Sequence, residues 1–176
     1  ANCLVGSEMC IRDSSYIDAY FTSGSLSRGA FQGTYAAIST TASERMDSSR
    51  NLSDGTYSIA GLKVPLVAEY AYNLGAKYKM PNDINLKLEM SFVDEMFVSN
   101  DQENIEPTIP SYYLFDLSLD AKNDYGAWSF GINNIFNTSY YTFAVASASH
   151  GDSSYGIQNM YPLERRSIFL DYFYEF

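Results

Sequence analysis

Few side chains in this sequence could do covalent or metal chemistry. His150 is the only histidine, and both cysteines, Cys3 and Cys10, lie far from it in the sequence. Imidazole is a common metal or haem ligand, but a metal site needs further ligands close by. A catalytic triad needs a base beside its nucleophile, and a lone loop histidine lacks such a partner. We therefore predict no catalytic site, no metal site, no cofactor and no enzyme activity.

Aromatic side chains offer a better hypothesis for binding. They concentrate in or beside residues 136–163, a polar stretch that also contains His150. Exposed rings can stack on a small ligand that has a ring of its own. They can also form a belt at a membrane interface, so both interpretations stay open. The candidate ligand-binding residues are Tyr140, Tyr141, Phe143, His150, Tyr155 and Tyr161.

The elements that must position these residues are β-strands. From residue 15 onward, apolar and polar residues alternate in blocks that are separated by turn-forming residues. This period of two is the pattern of antiparallel β-structure, and it predicts about seven strands. The predicted strands are residues 70–80, 84–92, 113–122, 126–133 and 168–176, with weaker blocks near 15–22 and 29–41.

Each block has one apolar face and one strongly polar face. In residues 113–122, for example, Leu117 and Leu119 alternate with Asp116 and Asp120. Charged side chains are costly inside a protein core. A water-filled lumen accepts such a polar face, and lipid accepts the apolar one, as in transmembrane β-barrels.

The connections between the blocks alternate in length. Short turns are predicted near residues 23–28, 81–83 and 123–125, and long polar loops near 47–62, 99–111 and 136–163. Outer-membrane barrels have short turns on the periplasmic side and long loops on the extracellular side. The alternation therefore predicts an all-β, antiparallel transmembrane barrel whose last strand ends at the periplasmic side.

The composition supports a membrane protein and argues against one large class of partner. Aromatic residues make up 16% of the chain, which suits a protein with many rings at a water–lipid boundary. No apolar run is long enough for a transmembrane helix. The net charge of -10 predicts no binding to nucleic acid, because phosphate recognition needs a basic face.

Residues 1–14 have a separate explanation. The segment EMCIRDS at residues 8–14 resembles the translation of a transposon-end adapter used in sequencing libraries. We therefore expect residues 1–14 to be a non-native leader and residues 15–176 to be the native part. The cysteines would then carry no disulfide, since both lie in the leader.

The last twelve residues, 165–176, look like the closing strand of an outer-membrane protein. In such proteins an aromatic C-terminal residue, preceded by aromatic or apolar residues at alternate positions, is read by the barrel assembly machinery. Tyr172, Tyr174 and Phe176 match this pattern. The physical basis is strand addition, in which an unpaired edge offers hydrogen bonds and alternate side chains add specificity.

Three earlier segments narrow the resemblance to the TonB-dependent receptors. GINNIFNTSYY at residues 131–141 is similar to the family's xVxNLFDxxYY segment, and YPLERR at 161–166 to its YPxPGR segment. KVPLVA at 63–68 is similar to the entry to an earlier strand. Asn137 stands where the family usually has Asp, and a second Pro is absent from the 63–68 segment. The chain thus resembles the C-terminal part of the receptor barrel.

The resemblance implies most of the expected function. Such receptors have a barrel of about 22 strands, closed by an N-terminal plug, and sit in the bacterial outer membrane. The chain would supply about seven of those strands. The implied ligand is a ferric siderophore or another scarce nutrient, taken up with energy from the TonB complex, which contacts the missing plug. The barrel assembly machinery and outer-membrane lipid are the other implied partners.

Two other interpretations remain open at this stage. A complete small barrel of about eight strands, with a structural or adhesive role, would suit this chain length. A soluble carbohydrate-binding β-sandwich would also show alternating strands, with the apolar face on a core. The first would close on itself in detergent, and the second would be soluble without detergent.

Overall fold

The computed structural model describes residues 8–27, 48–54, 56–104, 106–146 and 158–174. Within these ranges, no helix is long and apolar enough to cross a membrane. The elements are β1 (Glu8–Tyr16), β2 (Ser25–Ser27), a short 3₁₀ helix (Ser48–Arg50), β3 (Thr56–Ser58), β4 (Tyr70–Met80), β5 (Ile84–Val93), β6 (Tyr112–Asn123), β7 (Gly126–Asn133), β8 (Tyr141–Ala146), β9 (Gln158–Pro162) and β10 (Ser167–Phe173).

The main sheet has six antiparallel strands in the order β1-β4-β5-β6-β7-β10. Two smaller sheets pair β2 with β3 and β8 with β9. The predicted blocks at residues 70–80 and 126–133 coincide with β4 and β7. The all-β, antiparallel fold class is therefore confirmed, and the described strands form an open sheet rather than a closed barrel.

The connections separate into two ends of the sheet, as expected. Residues 81–83 and 124–125 make tight turns at one end, which we call the turn end. Gly126 begins β7 at φ +139°, and an added β-carbon there would lie 2.5 Å from the carbonyl oxygen of Phe173, so only glycine fits. Residues 94–111 and 134–166 join strands at the opposite, loop end.

The first connection differs from the prediction. β1 pairs directly with β4, so residues 17–69 leave and rejoin the sheet at the loop end. The turn expected near residues 23–28 is wrong, because Ser25–Ser27 forms β2 and pairs with β3 inside this connection. A Ser-Gly-Ser turn signal is local and does not say which strands become neighbours. The strand expected near residues 29–41 lies outside the described residues.

The expected leader contributes to β1. Glu8 to Ser14 pair with Tyr78 to Tyr72 of β4 through the backbone. Backbone groups are the same in every non-proline residue, so an edge strand can pair whatever its sequence. The non-native origin of residues 1–14 therefore stays a prediction.

Phe169 breaks the alternation of the last strand, and its partner explains why. Phe169 lies opposite Gly131 on β7. A β-carbon at Gly131 would lie 2.3 Å from the Phe169 ring, so the ring occupies the space that glycine leaves. An aromatic residue packed over a cross-strand glycine protects that weak point of the sheet.

The buried apolar core does not lie on the sheet. It lies at the loop end, where Met96, Val98, Ile109 and Ala144 pack together. Three of these side chains are completely buried, whereas many large apolar side chains on the sheet are exposed. The buried apolar side chains therefore lie at the loop end, whereas a soluble sheet would bury the side chains of its own apolar face.

Candidate functional site

One face of the main sheet is apolar and lies open. Paired residues on neighbouring strands share a face, and one such row crosses five strands. Its members are Ala76, Leu88, Leu117, Ile132 and Ile168. Ile168 is 67% exposed, and burying such a side chain is worth about 1.5–3 kcal/mol. This face therefore needs an apolar neighbour, and lipid can provide it.

Aromatic rings border the apolar face at the loop end. Tyr72, Phe92 and Tyr113 form a row across β4, β5 and β6, with ring centroids 4.7 Å and 4.6 Å apart. Tyr16 and Tyr70 add a second contact at 5.1 Å. Rings with one polar end are typical of the girdles of transmembrane barrels.

A second group of rings borders the same face at the turn end. Trp128 and Tyr172 lie 4.2 Å apart, and the Tyr172 hydroxyl donates a hydrogen bond to the carbonyl oxygen of Tyr125 at 2.5 Å. Tyr174 follows β10 and is exposed, while Phe176 lies outside the described residues. Tyr172 thus has a structural role in the folded sheet, and the assembly signal stays a prediction.

The opposite face of the sheet is charged. Lys77 lies opposite Lys87, and the next row places Glu89 opposite Asp116. Like charges directly opposite each other repel, but Lys87 Nζ lies 2.9 Å from Glu89 Oε2 and so links the two rows. Asp120 accepts a hydrogen bond from Ser129. Such a face suits a water-filled lumen rather than a core.

The predicted ligand residues fall into different environments. Tyr141 packs against the buried core, so it serves the fold. The Tyr140 ring lies 4.8 Å from the Tyr112 ring. Burial raises the pKa of Tyr140, with smaller contributions from the negative charges of Asp116 and Glu164.

Phe143 and Tyr161 form an exposed pair on the β8–β9 hairpin. Their ring centroids are 5.4 Å apart, and the residues are 37% and 56% exposed. These two rings remain available for stacking. His150 and Tyr155 lie outside the described residues. Within the described ranges, no group of three or more His, Cys, Asp or Glu side chains could hold a metal ion.

Sequence reasoning missed a group of buried carboxylates in residues 94–111. Asp101, Glu103 and Glu106 are all buried, although an acidic loop normally indicates an exposed segment. Burial raises the pKa of Glu103 to about 7, and the negative charges of Asp101 and Glu106 add to the effect. No local signal in the sequence indicates this burial.

The segment at residues 131–141 contains the end of β7 and a tight turn that begins at Asn134. Asn134 N donates to Asp116 Oδ1 at 2.7 Å. The Asn134 side chain donates to Thr138 O and accepts from Thr138 N, both at 2.8 Å. Asn137 Oδ1 accepts a hydrogen bond from Arg166 N at 3.2 Å. The residues that carry the family resemblance thus fix the exit from the sheet.

Two solved bacterial receptors contain a sheet of this kind. The chain matches the closed form of the ferric-catecholate import receptor Fiu from E. coli K12 with a TM-score of 0.59 and 18% identity, over 95% of this chain. It matches the siderophore receptor PiuA from Acinetobacter baumannii with a TM-score of 0.52 and 21% identity, over 64% of this chain. The chain has the fold of a segment of an outer-membrane receptor barrel.

The chain spans only a small part of the proteins that it matches. It spans 18% of the Fiu chain and 14% of the PiuA chain. No protein-family model and no curated protein matches its sequence. The match therefore shows the fold of this chain.

Proposed function

We propose that this chain is part of an outer-membrane receptor that imports a scarce nutrient, with energy supplied through TonB. The observation that carries the proposal is the sheet itself. Its apolar face lies exposed between two aromatic borders, and its other face is charged. Barrel walls that separate lipid from a wet lumen have this arrangement. The likeness to import-receptor barrels adds support.

The two rival interpretations fit the structure less well. A β-sandwich would bury Ile168 and Leu170 against a second sheet, but both side chains are about two-thirds exposed. A small complete barrel would pair its first and last strands. In the described residues β1 and β10 are the two edges of an open sheet. A segment of a larger barrel accounts for both observations.

The proposed ligand is a ferric siderophore. Fiu is a ferric-catecholate import receptor and PiuA a siderophore receptor, and exposed rings can stack on the aromatic groups of such chelates. Phe143 and Tyr161 are the best placed of the described candidates, since Tyr141 packs into the core. His150 and Tyr155 remain candidates on sequence alone.

Uptake of labelled iron tests this proposal. Cells that make the protein should accumulate iron supplied as a ferric tricatecholate, a ferric trihydroxamate or ferric citrate, and should lose that uptake when TonB is removed. Tyr161→Ala should weaken binding of the accepted chelate about three- to tenfold, as expected for the loss of one ring contact. Tyr125→Ala, which removes an exposed ring at the turn end, is the matched control.

The outcomes separate the proposed function from its rivals. Uptake that persists without TonB would contradict energy coupling. Binding of none of the three chelates would contradict a siderophore ligand. A closed, heat-modifiable barrel formed by this chain alone would favour the small structural or adhesive barrel instead.

We also propose that residues 1–14 are a non-native leader. Arg12 lies opposite Leu74 on the apolar face, in the same row as Met90 and Phe115. A native barrel strand rarely places a charge there, because lipid cannot solvate it. The unsuitable side chain supports the resemblance of residues 8–14 to an adapter.

Arg12→Leu tests the position of this face. We expect it to raise the free energy of unfolding in lipid by roughly 1–2 kcal/mol, since the row lies between the midplane and the aromatic border. Denaturant titration of the protein folded in lipid vesicles measures the change. Asp13→Leu, on the opposite face beside Asn73, should bring no gain. Equal effects of the two changes would contradict a lipid-facing Arg12.

A further inference from the structure

Residues 94–111 form hydrogen bonds to the connection that precedes β4. Asn104 Oδ1 accepts a hydrogen bond from Lys63 N at 2.7 Å, and Asn104 Nδ2 donates to Lys63 O at 3.0 Å. Leu66 N donates to Phe97 O at 2.9 Å. A single side chain thus binds both backbone groups of Lys63, and a third hydrogen bond follows three residues later. Such paired contacts fix the position of one segment on another.

The same residues bond to and pack against the β8–β9 hairpin. Ser99 N donates to Ala144 O at 2.8 Å. Val98 and Ala144 are completely buried in one apolar core, and Leu66 and Tyr141 pack against that core from two different connections. The core therefore needs all three segments, because removing any one of them would expose apolar side chains to water.

We propose that residues 94–111 are a clasp that joins residues 62–66 and the strands β8 and β9 into a single cap, whose hydrogen bonds open as one cooperative unit. Segments that share a buried core and its hydrogen bonds unfold together as a cooperative unit. Asn104 of the clasp bonds to Lys63, and Ser99 of the clasp bonds to Ala144 of β8, so the clasp contacts both segments.

The clasp has a consequence for ligand entry that rests on the proposed function. Aromatic candidates on the hairpin, Phe143 and Tyr161, would not move independently of residues 62–66. A ligand that must pass this part of the outer surface would need the whole cap to move. Exchange of the cap's backbone hydrogens, measured without ligand, tests the clasp separately from import.

Hydrogen–deuterium exchange on the folded protein in detergent micelles provides the test. Asn104→Gly removes the clasping amide, and glycine tolerates the φ of 55° at that position. We expect the amides of β8, which Asn104 does not touch, to exchange about tenfold faster, together with Leu66 N. Asn100→Gly is the matched control, since Asn100 is exposed and has a φ of 68°.

The exchange rates at residues 62–66 and at β8 decide the result. Faster exchange at Lys63 and Leu66, with β8 unchanged, would overturn the single cap, as would no change at either side. Asn104→Asp is the second variant for the same measurement if the glycine variant does not fold. It keeps the acceptor for Lys63 N but places a carboxylate oxygen against the carbonyl oxygens of Lys63 and Asp101, so faster exchange is again expected on both sides.

Discussion

Asn134→Ala is expected to lower the free energy of unfolding by roughly 3 kcal/mol. Asn134 is 4% exposed, and its side chain bonds both backbone groups of Thr138. Alanine would leave these groups without their partner, at about 1 kcal/mol or more each. Alanine also lacks the short polar side chain that helps asparagine to adopt a φ of 51°, and this loss adds about 1 kcal/mol.

Asn82→Ala is the matched control for this change. Asn82 also has a positive φ, 63°, but lies exposed in the turn at residues 81–83. The control should therefore cost only the backbone term, about 1 kcal/mol. Denaturant titration of the folded protein in detergent micelles measures both variants. Equal losses for the two would show that the bonds between Asn134 and Thr138 contribute nothing.

The position of Asn134 explains why its loss should reach beyond one turn. Its backbone nitrogen is bonded to Asp116 on β6, and Ile135 N donates to Phe115 O on the same strand. The turn therefore fixes where residues 134–166 leave the sheet. In this chain, the polar residues of the segment that resembles the receptor family form the hydrogen bonds of the turn.

The second large effect is a dependence of the free energy of unfolding on pH, which comes from Glu103. The pKa of Glu103 rises from its ordinary 4.5 to about 7, because burial disfavours its charged form and Asp101 and Glu106 repel it. In the folded protein the Glu103 carboxyl therefore keeps a proton that it releases above pH 4.5 in the unfolded chain. The contribution of Glu103 to the free energy of unfolding is fully present below pH 4.5 and is lost as the pH rises to about 7.

Glu103→Gln should remove this dependence. The variant should match the wild type below pH 4.5 and exceed its free energy of unfolding by roughly 3 kcal/mol above pH 7, since each pKa unit is worth about 1.4 kcal/mol. Denaturant titrations between pH 4 and 8 give the difference. Glu95→Gln, which changes an exposed carboxylate of the same connection, should keep the wild-type dependence.

A contrary result would be equally clear. If Glu103→Gln and the wild type differ by the same amount at every pH, Glu103 does not titrate between the two states. If the wild type gains stability as the pH rises through this range, the sign assigned to Glu103 is wrong.

The strands of the sheet were predictable because their signal is local. Residues 70–80 and 126–133 alternate in a period of two, and the structure places β4 and β7 at those positions. The assignment of faces was predictable too, since side chains point to opposite sides of a strand. The turns at residues 81–83 and 124–125 follow from residues that favour tight turns.

Neighbouring strands and buried loops were not predictable in the same way. The pairing of β1 with β4 depends on which distant segments meet, and the turn signal near residues 23–28 misled the prediction. Glu103 and Asn134 look like solvent-exposed loop residues in the sequence. Both are buried in the structure, and no local pattern in the sequence indicates it.

The sequence by itself determined an all-β chain with one apolar and one polar face, because a two-residue period needs only neighbouring residues. The tertiary structure decided everything at the loop end. There, Val98 and Ile109 of one connection meet Ala144 of another, Asn104 binds Lys63 and Tyr141 packs against the buried core. Such contacts depend on where the strands place their ends, which the order of residues within any one segment does not specify.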